Sequence, residues 1–340
     1  MRGTYLMRGL AILISSVLLP ALFSCADGIA VRSFNPEADG KPIYNAVCYG
    51  PHRDGQRPGG KGPSAPELLE DLRLIQPHWN LIRVYGSAEF AETMLSVIRE
   101  NDLDIKVMLG AWIAPEEDSP DAAAANEREI AQAIRLAGEF PSIVAAVSVG
   151  NETQVFWSGH RTGLDILIGH VDRVRESVSV PVTVADDFNF WNKPESRKLS
   201  SRIDFITMHA HPMWNGQLLD GALGWLEERV AEVQALHPSR KIVIGETGWA
   251  TSVHDEGEQG ELIIGSPGEE EQKFFYDTVR EWASAGGRTV FFFEAFDENW
   301  KGGDHPAEVE KHWGMFRADR SPKAAMIEED PVGQEEPRDR

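Results

Sequence analysis

The stretch VAAVSVGNETQVFW, Val144 to Trp157, decides how this chain is read. It begins as a run of small and β-branched residues, the pattern of a strand buried on both faces, and it ends on an asparagine and a glutamate. A second stretch, KIVIGETGWAT from Lys241 to Thr251, repeats the design and delivers Glu246 where the first delivers Glu152. An apolar strand has no internal use for a charge. Each carboxylate therefore belongs to the surface where the strands end.

Working outward, short apolar runs alternate with amphipathic segments from Pro42 to Phe316. Strand-like runs begin near Ile43, Asn80, Asp104, Ser142, Val180, Arg202, Lys241 and Thr289, which makes eight. Helix-like periodicity follows in the segments from Ala65, Ala91, Glu127, Gly163, Gly221 and Glu269. Only NFWNKPESRKLSS, between the fifth and sixth strands, is short, with room for a stub of helix. Eight strand-and-crossover units in about 275 residues predict an α/β fold, a single (β/α)8 TIM barrel. The rival is a doubly wound open sheet. No glycine-rich phosphate fingerprint follows any strand, and polar residues gather at nearly every strand's C-terminal end, which favours the barrel.

Glu152 ends the fourth strand and Glu246 the seventh, 94 residues later, or three units of about thirty residues. Both then project from one rim of the barrel and face each other across its mouth. Two opposed carboxylates are what acetal hydrolysis requires, one to protonate the leaving oxygen and one to attack or stabilise the anomeric carbon.

The motifs GNE (Gly150–Glu152) and GETGW (Gly245–Trp249) resemble the acid/base and nucleophile motifs of glycoside hydrolase family 17, retaining β-glucanases built on this barrel. LIRVYGS (Leu81–Ser87) resembles that family's second-strand motif, FFFEAFDENWK (Phe291–Lys301) its eighth-strand motif and EKHWGMF (Glu310–Phe316) its closing motif. The match runs in order over essentially the whole domain, and AVCYGPHRDGQRPGG (Ala46–Gly60) is similar to the compact bacterial members. The resemblance implies Glu152 as general acid/base and Glu246 as nucleophile, with Asn151 holding the sugar 2-hydroxyl or the nucleophile. It implies an ion pair of Glu298 and Lys301 beside the acid, tuning the two catalytic pKa values apart. Glu294 stands where plant members carry a small residue, so the floor near Glu246 should be more polar here.

Sugars present flat C–H faces that stack on aromatic rings, and several of the ten tryptophans fall in rim positions. Trp157, Trp214 and Trp300 lie in loop contexts and are the favoured platforms, with Trp249, after the nucleophile, a further substrate-binding candidate. Tyr49 and Tyr85 end the first two strands, where they could hydrogen-bond the nucleophile or line the subsite of the reacting sugar. His209 and His211 are spaced like metal ligands, but no third ligand has a natural place in the sequence. They are read as sugar-binding or structural groups, and neither metal nor cofactor is expected.

The chain carries 33 basic and 54 acidic residues, a net charge of −21, which disfavours nucleic acid and leaves a neutral β-glucan polysaccharide or oligosaccharide as the fitting partner. Two cysteines exclude a disulfide framework. A basic start followed by GLAILISSVLLPALFSC reads as an export signal over residues 1–24, with LFSC resembling a lipoprotein box that lipidates Cys25; ordinary cleavage after Ala26 is the alternative. The expected organisation continues with a linker over 25–41, the catalytic domain over 42–326 and an acidic, disordered tail over 327–340. The expected protein is an exported monomer, an outer-membrane, cell-surface or periplasmic lipoprotein or else secreted and soluble, touching the membrane only through its lipid. Its expected activity is that of a retaining β-1,3-glucanase acting on laminarin-like glucans by double displacement. The alternatives are a β-1,3-glucanosyltransferase, which hands the glycosyl group to a sugar rather than to water, and a non-catalytic glucan-binding surface lipoprotein.

Overall fold

A computed structural model describes residues 29–117 and 119–327. The export signal, the lipidation site at Cys25 and the tail beyond Ile327 lie outside the described residues. A small antiparallel hairpin, β1 (Glu37–Ala38) and β2 (Lys41–Pro42), precedes eight parallel strands. These are β3 (Asn45–Cys48), β4 (Leu81–Arg83), β5 (Lys106–Ala111), β6 (Val144–Asn151), β7 (Val182–Asp187), β8 (Ile206–His209), β9 (Ile242–Thr247) and β10 (Val290–Phe292). Each pairs with its neighbour in sequence, and β10 pairs with both β9 and β3, so the sheet closes. The open-sheet rival is excluded by that closure, and the eight strands are those the apolar runs marked.

Outside the barrel lie α1 (Ala65–Ile75), α2 (Ala91–Glu100), α3 (Pro120–Glu139), α4 (Leu164–Ser177), α7 (Leu219–Leu236) and α9 (Glu269–Gly286). The short fifth crossover holds two stubs, α5 (Phe188–Trp191) and α6 (Ser196–Ser200), and the loop after β9 holds α8 (Gly257–Leu262). The local signals account for the helix starts. Ser119 accepts a hydrogen bond from Ala122 N ahead of Pro120, and Glu67 Oε2 accepts the Ser64 backbone N–H at 2.7 Å. Strand residues such as Val47, Ile82, Leu109, Val147, Val184, Val243 and Phe292 are fully buried, which explains why the strands read as apolar without alternation.

Residues 29–41, within the stretch expected to be a linker, are not free chain. Phe34 is 2% exposed and stacks on Phe205 with ring centroids 4.4 Å apart. Arg32 donates to Asp204 Oδ1 and Val180 O, and Lys241 Nζ donates to Phe34 O. Because these partners precede β7, β8 and β9, the segment closes the N-terminal end of the barrel, opposite the rim where the strands end. Its one buried large hydrophobic side chain is Phe34, with Val31 left exposed, too little for periodicity to register.

Candidate active site

The end of β6 is bent by two left-handed residues, Gly150 (φ 79°) and Glu152 (φ 51°), which flank Asn151. A positive φ is uncommon for a glutamate. It is held here by Glu152 N donating to Ala185 O, and by the buried Asp186 carboxylate, which accepts the N–H groups of Gln154 (2.8 Å) and Val155 (3.1 Å). The β6–β7 register shifts between Ser148 and Asn151, and the β8–β9 register between Met208 and His209. Such bulges re-aim side chains at a barrel rim. Their result is a convergence of Asn151, Glu152, His209 and Glu246.

A carboxylate oxygen of Glu152, one of Glu246 and a ring nitrogen of His209 lie within 4.8 Å of one another. His209 Nδ1 is 3.0 Å from Glu152 Oε1, and its Nε2 is 3.4 Å from Glu246 Oε1. Burial pushes His209 down to about 3, so the ring is neutral and has one N–H to offer the two carboxylates. Burial, with the charge on Glu246 adding to it, lifts Glu152 well above the ordinary carboxylate value. Burial would also lift Glu246, but at the acid pH where Glu246 titrates His209 carries a proton, and its charge, the His211 hydrogen bond and the Arg83 guanidinium overcome burial and hold Glu246 well below the ordinary value. The two acids are thus driven apart, one toward the protonated and one toward the ionised form.

Arg83, at the end of β4, is the residue that the sequence reading quoted without assigning. It is buried, donates to Glu246 Oε1 at 2.6 Å and to Asn151 Oδ1 at 2.5 Å, and so fixes both at once. Tyr85 OH donates to the same Glu246 Oε1 at 3.0 Å. His211 lies 3.4 Å from Oε2, and its pKa rises because its hydrogen bond to Glu246 and that group's charge outweigh burial. Gly110 makes room for this wall: a Cβ there would stand 2.3 Å from the Tyr85 carbonyl carbon.

Two expected site residues lie elsewhere. Tyr49 is fully buried and gives its hydroxyl to Asp71 Oδ2 at 3.1 Å, on the outer side of β3, so it meets neither nucleophile nor sugar. Trp249 is fully buried, packed on Phe275, with Nε1 donating to Ser266 O, and is core rather than platform. Trp157 and Trp300 are exposed on the rim, and Trp214 is partly buried with Nε1 donating to Glu310 Oε1.

Glu298 and Lys301 do pair (2.9 Å), but Lys301 Nζ also donates to both oxygens of the buried Glu294 at 2.7 Å. One cation thus serves two carboxylates. Against burial, Lys301 and the donors His52 and Trp300 hold Glu298 down to about 2, while burial leaves Glu294 raised. Among the described residues, Glu298 and Lys301 make no hydrogen bond or ion pair to Glu152. The ion pair itself is present, and Glu294 extends it along the β10 side of the floor.

Glu152, His209 and Glu246 have the composition of a metal site, the third ligand that spacing alone did not reveal. The Arg83 guanidinium sits 2.6 Å from Glu246 Oε1, one of the two oxygens that could coordinate. A cation would face that fixed positive charge at close range. The arrangement suits a half-buried acid paired with a buried nucleophile better than an ion.

The family model for the BtgE/BtgC glycoside hydrolase domain matches residues 46–314. A glucan 1,3-beta-glucosidase of Arthroderma benhamiae is 28% identical over 283 residues, covering 79% of this chain and 86% of that protein. An endo-laminarinase from Formosa is 26% identical with a TM-score of 0.73, covering 83% of this chain and 85% of that one. A family 17 beta-1,3-glucanosyltransferase from Rhizomucor miehei shares the fold, with a TM-score of 0.68 at 22% identity over 84% of this chain and 97% of that one.

Proposed function

The chain belongs to the BtgE/BtgC glycoside hydrolase domain family, within the family 17 group its motifs resemble, and from that premise we propose a retaining β-1,3-glucanase that hydrolyses laminarin-like glucans. The observation that carries the reading is the pair Glu152 and Glu246, with oxygens within 4.8 Å and environments that drive their protonation apart. That spacing fits a direct attack, since inverting enzymes separate their carboxyl groups by roughly 6.5–9.5 Å to admit a water.

Glu246 Oε1 is anchored by Arg83 and Tyr85, which leaves Oε2 to attack the anomeric carbon. As that bond forms, the glycosidic C–O bond breaks and the proton on Glu152 passes to the departing oxygen. In the second step Glu152, now ionised, takes a proton from water as the water oxygen bonds to the anomeric carbon and Glu246 leaves. Two inversions give net retention. Asn151, its amide oxygen held by Arg83, has its NH2 free to meet a sugar hydroxyl. Trp157, Trp214 and Trp300 are read as sugar contacts. The acidic chain fits a neutral glucan, and the leader with Cys25 supports export as a lipid-anchored protein.

The test is product analysis of laminarin and short β-1,3-gluco-oligosaccharides, wild type beside Glu246→Gln. A ladder of shorter products with the β-anomer formed first, abolished by the substitution, is expected. Products longer than the starting sugar would make the protein a transferase. No turnover by the wild type would sink the catalytic reading and leave a glucan-binding protein.

A further inference from the structure

The charge on this chain is unevenly spread. Acidic residues outnumber basic ones by 54 to 33 overall, yet residues 193–202 hold Lys193, Arg197, Lys198 and Arg202 against Glu195 alone, and residues 237–241 hold Arg240 and Lys241 with no acid. The fold brings these two stretches together. Arg240 Nε donates to Ser200 O at 2.8 Å, and the Ser196 hydroxyl lies 2.9 Å from His237 Nε2. Asp165 and Asp172 meet Lys198 and Arg202, but Lys193, Arg197, Arg240 and Lys241 make no ion pair among the described residues. Lys193 and Arg197 are exposed, and the exposed acids at the edge, Glu176 and Glu195, leave the face positive.

This face lies at the base of the barrel, just ahead of β8 and β9, and it is where the N-terminal segment arrives. Arg175, in the last turn of α4, donates to Ala30 O and to Asp204 Oδ1, the Arg32 guanidinium donates to the carbonyls of Val180 and Arg175, and Lys241 Nζ donates to Phe34 O. Ile29 is only four residues from Cys25, and four residues fully extended span at most about 14 Å. A lipid on Cys25 therefore holds this face within reach of a bilayer's surface potential, which falls off over a Debye length of about 8–10 Å.

We propose that the basic face is a docking surface for anionic phospholipid headgroups, setting the anchored barrel base-down with its catalytic rim turned away from the bilayer. The inference rests on the reading of Cys25 as lipidated and adds to it the orientation of the enzyme. The remaining surface of a chain with net charge −21 is repelled by such a membrane, so the attraction is confined to one side. A shallow groove that Ser239, Arg240 and Lys241 help to line offers the phosphates a place to settle. The rim then opens toward a polymeric glucan rather than toward lipid.

The experiment takes the full chain, exported and lipidated in a bacterial host, into vesicles of phosphatidylglycerol and, separately, of phosphatidylcholine, and follows acetylation of exposed lysines by mass spectrometry. Lys193 and Lys198 report on the base, and Lys61, exposed in the loop after β3, reports on the rim. On phosphatidylglycerol the labelling of Lys193 and Lys198 is expected to slow about fivefold or more relative to phosphatidylcholine, the weight of one or two cations at an anionic surface, with Lys61 unchanged and with added salt reversing the protection. In Lys193→Glu/Arg197→Glu, whose two positions are exposed and remote from the site, Lys198 is expected to label equally fast on both lipids, while laminarin hydrolysis in neutral detergent stays at the wild-type rate. Equal labelling of wild-type Lys198 on the two lipids overturns the proposal, because the tether alone would then set the distance. Protection of Lys61 overturns it too, by putting the rim against the bilayer. A mature chain whose mass shows no lipid at Cys25 overturns the anchoring reading, and this orientation with it.

Discussion

Two tyrosines at equivalent strand ends illustrate how a single residue's direction decides its role. Cys48 and Arg83 are register partners that face into the barrel, so Tyr85, two residues on, also faces in, while Tyr49, one residue on, faces out. Tyr85→Phe should lower kcat/KM on laminarin roughly tenfold or more by removing a hydrogen bond to the charged nucleophile, with little change in Tm. Tyr49→Phe should do the reverse, costing about 1 kcal/mol in denaturant melts and leaving the kinetics alone. Arg83→Lys separates placement from charge at the nucleophile. It keeps a cation but loses the fork that holds Asn151 and Glu246 together, and a fall in kcat of roughly a hundredfold is expected. The reaction needs Glu246 ionised, and Arg83 helps hold its pKa down, so weakening that grip moves the acid limb of the pH–rate profile to higher pH. An acid limb that stays put would refute the electrostatic role. Arg83 was legible in principle: a lone arginine in LIRVYG, a strand otherwise buried on both faces, must find a buried anion. Tyr49 could have been excluded only with the phase of its strand, which the alternation of an apolar run does not supply.

At the scale of elements, the strand-end loops carry the chemistry and the buried carboxylates beneath them hold the loops. Asp186→Ala would orphan two loop N–H groups and let Glu152 drift. Turnover of laminarin should fall about tenfold to a hundredfold, and that of an aryl glycoside with a good leaving group much less, since such a group departs without a proton donor. Equal losses on both substrates would mean that Asp186 supports the whole site rather than the acid. At the end of β10, Lys301→Met would strand Glu294 and Glu298 without their shared cation, at a cost of about 3–5 kcal/mol. The pH dependence has a definite sign. Without Lys301, burial and mutual repulsion raise both carboxyls above their unfolded values, so the deficit is largest at high pH and shrinks as falling pH protonates them. Melts near pH 8 and near pH 5 measure it, and a deficit equal at both would contradict the account. The sequence offered the Glu298–Lys301 pair by spacing, but Glu294 reaches Lys301 from seven residues away through the fold of the strand end, which no helical or strand period encodes. Helix α8 escaped for a similar reason, being six residues with two glycines and no apolar face.

For the whole molecule, the barrel separates what stabilises from what reacts. Its repeating strand and helix periods span the domain, so the architecture was legible from end to end, and topology placed Glu152 and Glu246 on one rim, where the strand-end bulges bring them together. The closure of the opposite end was not legible, because Phe34 acquires its partners only once the strand starts have been gathered into a ring. That ring makes a test of the separation. Phe34→Ala removes a buried ring stacked on Phe205 and leaves a cavity at the base, a loss of about 3–5 kcal/mol that should lower Tm by several degrees. The catalytic rim lies at the other end of strands joined by a continuous buried core, and a cavity at the base does not alter the hydrogen bonds of Arg83, Tyr85 and Asp186 that place the two glutamates. The variant should therefore melt early yet, at a temperature where it is fully folded, hydrolyse laminarin with wild-type kcat and KM. A parallel loss of kcat under those conditions would mean that the two ends are mechanically coupled, and that the N-terminal segment belongs to the working site rather than to the scaffold beneath it.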